Sequence, residues 1–94
     1  MPARLVLKDK RVAADGTVVE RVVYVLPTAS ADRPHGLKYR LYCGRKGRCL
    51  VRYDNEAGKG EHVHYGDAEQ PYRFVSLERL LRDFDDDVRR LTGG

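Results

Sequence analysis

Two histidines separated by one residue, His62-Val63-His64, lie close to Lys59, Asp54 and the glycines Gly58, Gly60 and Gly66. In an extended strand, alternate side chains leave the same face ~6.5–7 Å apart, so both imidazoles can straddle one phosphate. One would take the proton of a ribose 2′-hydroxyl while the other protonates the departing 5′-oxygen. Histidine suits both tasks because its unperturbed pKa lies near neutrality. Lys59, flanked by glycines, is a candidate clamp for the charge that builds on phosphorus, with Arg40 and Arg52 as further cations. Asp54 is placed to orient an imidazole. The scheme calls for no metal and no cofactor.

The same residues admit other readings. A His-x-His on a polar edge strand can be a solvated pair. It can also offer two nitrogens to zinc, iron or manganese, with Glu61, Asp67 or Asp54 as oxygen ligands. The glycines around Lys59 serve as turn formers, and the order G-x-x-x-x-G-K-[ST] of a P-loop is missing.

A second constellation interleaves cations and aromatics: Lys38-Tyr39-Arg40-Leu41-Tyr42, then Arg45, Lys46, Arg48, Arg52 and Tyr53. Arginines engage phosphates and tyrosines stack on unpaired bases, so Lys38, Arg40, Arg52, Tyr39, Tyr53 and Tyr65 are candidate RNA contacts. The alternative is a soluble sheet face with half-buried tyrosines.

Strands must position these groups. Arg4 to Val12 reads as a first strand, and Asp15-Gly16 as a type I′ turn into the valine-rich strand Thr17 to Leu26. Apolar residues on both alternating faces predict that this second strand is covered on both sides. Leu37 to Cys43 alternates cleanly, with Leu37, Tyr39, Leu41 and Cys43 on one face and Lys38, Arg40 and Tyr42 on the other. Gly44-Arg45-Lys46-Gly47 turns the chain into Arg48 to Asp54, and His62 to Tyr65 reads as a short edge strand.

A helix follows. Ser76 is its N-cap, Val75 and Leu80 occupy hydrophobic-staple positions, and Leu77, Leu80, Leu81, Phe84, Val88 and Leu91 form one stripe. Glu78/Arg82, Asp85/Arg89 and Asp86/Arg90 are spaced for ion pairs, and Gly93-Gly94 ends it. The predicted fold is α+β: an antiparallel sheet of about five strands, two hairpins plus a short edge strand, packed against one C-terminal amphipathic helix.

The chain has 94 residues, enough for one domain over 1–94. No apolar run approaches the ~20 residues of a membrane span, and the charged N-terminus is unlike a signal peptide. A cytoplasmic protein is expected, with Cys43 and Cys49 as reduced thiols. The net charge of +4 is uneven: residues 1–53 hold 12 Lys and Arg against 4 Asp and Glu, while residues 54–94 hold 6 against 10. A basic half beside an acidic one suits a protein that meets polyanions with one face.

His35-Gly36-Leu37-Lys38-Tyr39-Arg40-Leu41, Arg52-Tyr53-Asp54-Asn55-Glu56, Gly58-Lys59-Gly60, His62-Val63-His64-Tyr65-Gly66-Asp67 and Pro71-Tyr72-Arg73-Phe74 together resemble the TumE family of small toxins from toxin–antitoxin operons. The likeness spans nearly the whole chain. It departs from the family pattern at Glu61-His62-Val63-His64, where Asp-His-Arg-His is common, so Val63 removes a cation between the histidines. The resemblance implies a cytoplasmic toxin neutralised by a cognate DNA-binding antitoxin of helix-turn-helix type. By analogy of class it implies an RNase acting on mRNA, on or off the ribosome, that inhibits translation. A non-catalytic module that binds RNA or protein, a small metalloprotein and a homo-oligomer remain open.

Overall fold

A computed structural model describes residues 2–56 and 58–93. Gly94, expected to help stop the helix, lies outside the described residues, as does Ala57 of the Asn55–Gly60 connection. The chain forms six strands and one helix: β1 (Arg4–Val12), β2 (Val18–Val25), β3 (Leu37–Arg45), β4 (Arg48–Asp54), β5 (His62–Tyr65), β6 (Ala68–Pro71) and α1 (Leu77–Thr92). The strands run in sequence order as an antiparallel meander, so each pairs with its chain neighbour.

The expected α+β architecture stands, with one strand more. Gly66-Asp67 turns β5 back into β6, so His62 to Tyr65 is not an edge. The Lys46-Gly47 turn has positive φ at both residues, 54° and 75°, as type I′ requires. The first hairpin corrects the expectation. Only Gly16 has positive φ there, and a turn closed by Gly16 N–H to the Ala13 carbonyl replaces type I′. Asp15 explains the difference, because its carboxylate accepts from Thr17 N at 2.9 Å and Thr17 Oγ1 at 2.7 Å.

Helix α1 covers one face of the sheet. Val19, Val23, Tyr39, Leu41, Cys43, Val51, Tyr53 and Val63 are buried from the sheet side, and Leu80 and Phe84 from the helix. Burying a large apolar side chain contributes about 1.5–3 kcal/mol, so this stripe holds the layers together. The opposite face has no covering layer among the described residues. Val18 and Val22 are therefore only partly buried there, which corrects the expectation of two-sided cover. The valines of β2 reflect strand propensity as much as burial.

Ser76 caps α1 by accepting from Arg79 N at 3.1 Å, and left-handed Gly93 closes it with its N–H on the Arg89 carbonyl. Val75 is 63% exposed, so the expected staple is not made. The expected charge pairs are replaced by Arg79–Asp83, Asp86–Arg89 and Asp87–Arg90. The acids have other duties. Asp83 accepts from Tyr72 Oη at 2.7 Å, and Asp87 from Tyr53 Oη and Tyr65 Oη at 2.6 Å each. Asp85 lies 3.9 Å from Arg21. The run Asp85-Asp86-Asp87 is thus not all solvent-facing surface, because Asp87 fastens the helix to the sheet.

Candidate functional site

Directly opposed residues of antiparallel strands share a face, so the pairing assigns the uncovered face row by row. One row runs Lys8, Val22, Arg40, Asp54, His62; the next runs Lys10, Glu20, Tyr42, Arg52, His64, Glu69. Lys38 sits beside them, opposite Tyr24. Cations thus spread over the open face, and the Arg40 guanidinium lies 5.1 Å from the Tyr42 ring centroid.

His62 and His64 emerge side by side, with ring centroids 6.5 Å apart. Their surroundings differ. His62 Nε2 meets the Lys59 carbonyl, which can only accept, and His62 Nδ1 lies 3.1 Å from Glu69 Oε1. Nε2 is therefore the donor to Lys59, and Nδ1 faces the carboxylate at ion-pair distance. His64 Nε2 lies 3.1 Å from Arg52 Nη2, a donor, so that nitrogen accepts. Its proton then sits on Nδ1, facing Glu69 Oε2 at 3.8 Å. One carboxylate thereby faces both rings, and the two Nε2 atoms differ in role, that of His62 donating and that of His64 accepting.

Arg52 is held in turn. Its Nε lies 3.0 Å from Asp54 Oδ2 as an ion pair that lacks hydrogen-bond alignment. Asp54 Oδ1 is 3.8 Å from His64 Nε2, so this carboxylate acts on the imidazole through Arg52. Lys59 contributes its carbonyl, whereas its ammonium is exposed and 3.6 Å from Glu56.

Beneath the site, a buried network fixes the loops. Asn55 accepts from Tyr39 N at 3.0 Å and donates to the Leu37 carbonyl at 2.8 Å, while Arg33 donates to the Asn55 carbonyl. Leu37 N donates to His35 Nδ1 at 3.1 Å, so His35 Nε2 carries the proton it shares with Glu61. Glu61 is therefore committed away from the His62–His64 pair. Among the described residues, no three His, Cys, Asp or Glu side chains converge to hold a metal ion. Cys43 and Cys49 are free, and burial pushes both thiols up in pKa.

Three expected RNA contacts lie elsewhere. Tyr39 and Tyr53 are buried under α1, and Tyr65 is half-buried with its hydroxyl on Asp87. Strand alternation sends them to the helix side with Leu41 and Val63. The open-face aromatics are Tyr24 and Tyr42. Glu69 was missed outright. The available signal was Gly66-Asp67, a two-residue hairpin pair, which would have folded Glu69 back against His64.

No helix among the described residues is long and apolar enough to cross a membrane. No curated protein and no solved structure matches the chain. The family model described as Toxin TumE matches residues 2–92. The match spans the basic face, the paired histidines and the helix alike, and the chain belongs to the TumE toxin family.

Proposed function

We propose that this toxin acts in the cytoplasm as a metal-independent endoribonuclease that inhibits translation. The observation that carries the proposal is the pair of imidazoles, 6.5 Å apart on a cationic sheet face, with Nε2 of His62 on a carbonyl acceptor and Nε2 of His64 on a guanidinium donor. RNA lies across the open face, with its backbone on Arg40, Lys38 and Arg52. A bound phosphate draws the Arg52 guanidinium from His64 and frees the Nε2 lone pair. His64 then takes the 2′-hydroxyl proton as the 2′-oxygen attacks phosphorus, and His62 gives its proton to the departing 5′-oxygen. Glu69 holds both rings by their Nδ1 sides, and Asp54 steadies Arg52. Arg52 also meets the charge that builds on the phosphoryl oxygens.

Purified protein incubated with RNA in excess EDTA should yield fragments ending in 2′,3′-cyclic phosphate. Intact RNA under these conditions, with cleavage appearing only on addition of a divalent ion, would refute the metal-free scheme.

A second reading, non-catalytic RNA binding, draws on one observation: both Nε2 atoms are occupied, by the Lys59 carbonyl and by Arg52. Both readings require the basic face. Arg40→Glu is expected to weaken RNA binding roughly tenfold and to lower the salt slope of the affinity by about one. Fluorescence anisotropy across a potassium chloride series measures both.

A further inference from the structure

The two edges of the sheet are unlike. β6 is four residues long and ends on Pro71, which blunts it. β1 is nine residues long, has no proline, and ends the strand order with its outer backbone groups unpaired among the described residues. Leu5 and Val6 are each 48% exposed and Val12 is 64% exposed. A long unpaired edge is a template for another strand, and here apolar residues stand near its two ends with charged ones between them.

Charge selects the occupant. β1 carries Arg4, Lys8, Lys10 and Arg11, and its acid, Asp9, is engaged by Arg21 at 2.6 Å. A second copy paired antiparallel about the strand's centre would set Lys8 against Lys8, and like charges directly opposed are destabilising. An acidic strand meets the opposite situation. Beside the far end of β1, a groove of about 1100 Å³ opens between the first hairpin and the end of α1. Val12, Val19 and Val88 supply its apolar lining, Arg11, Arg21 and Arg89 its cations, and Asp15 and Asp85 its acids, so cations prevail by one.

We infer that β1 is the docking edge for an extended acidic and apolar segment of a protein partner, the antitoxin that membership of a toxin family implies. The segment adds as a seventh strand, with apolar side chains on the groove side and carboxylates on the other face against Lys8 and Lys10. This rests on the toxin reading and not on the ribonuclease reading. Four strand spacings, about 19 Å, separate this edge from the histidines. The partner is thus anchored away from the imidazoles and reaches them only with what it carries across the open face.

The test uses the full chain and two synthetic nine-residue peptides, one alternating valine with glutamate and the other valine with lysine. At millimolar concentration the glutamate peptide should slow hydrogen exchange of β1 amides at least tenfold, and the lysine peptide should not. In a chain carrying Lys8→Glu and Lys10→Glu, exposed positions outside the core, the preference should reverse. Equal protection by both peptides, no protection by the glutamate peptide, or protection at β6 instead of β1 overturns the inference. RNA cleavage is not read in this experiment, so the site reading stands or falls separately.

Discussion

Replacing His62 and His64 together with alanine is expected to lower RNA cleavage by roughly 10²–10⁴-fold, the usual weight of positioned acid–base groups. Each single variant should lose nearly as much, because proton removal and proton delivery belong to one displacement and such effects are not additive. The protein should remain folded. Both rings stand on the face opposite the core, and the buried apolar residues of β4 and β5, Val51, Tyr53 and Val63, lie under the helix. Circular dichroism checks that point, and gel analysis of RNA fragments gives the rate. The pH profile should be bell-shaped, since one ring must begin with its proton and the other without. A double variant that cleaves within about tenfold of the parent would remove the acid–base roles. The cationic face would then serve binding alone.

The elements that position the histidines were legible from local pattern, and the groups that tune them were not. The strand alternation of Leu37 to Cys43 and the stripe from Leu77 to Leu91 are period signals, written in the positions of the apolar residues themselves. The same alternation already places Tyr39 beside Leu41, so its assignment to RNA rested on residue type and disregarded facing. Glu69 lacked any such signal of its own. Ala68-Glu69-Gln70-Pro71 is polar and poor in strand formers, and all four residues are exposed. Only the tight turn before it brings the carboxylate onto the two rings. Asp87 shows the same gap on the other side of the sheet. A helix acid at a surface-like position became a partly buried acceptor because two tyrosines from different strands reach it. Contacts made across strands depend on register, which composition does not carry.

Those buried tyrosines lead to the second large effect: the protein is expected to unfold cooperatively as pH rises above the ordinary tyrosine range. Burial pushes the Tyr39 and Tyr53 hydroxyls far up in pKa, and Tyr53 is pushed further by donating to Asp87. Both rings are 3% exposed. In the unfolded chain each phenol loses its proton near pH ~10, while in the fold it keeps it. Above that pH the unfolded state binds fewer protons than the native state, so stability falls as pH rises. Each such tyrosine removes about 1.4 kcal/mol per pH unit, and the two together about 2.7 kcal/mol. A small domain holds only about 5–15 kcal/mol, so about two units suffice to melt the sheet when stability lies at the lower end of that range. Phenolate absorbance from these rings should rise together with the loss of strand circular dichroism. Smooth titration of every tyrosine over an unchanged dichroism spectrum would show that they are not sealed under the helix. Tyr39→Phe separates the contributions. The Tyr39 hydroxyl is buried without a hydrogen-bond partner among the described residues, so its removal should raise stability at neutral pH by about 1 kcal/mol. It should also halve the alkaline slope contributed by the pair, leaving Tyr53 on Asp87 to set the pH at which helix and sheet part.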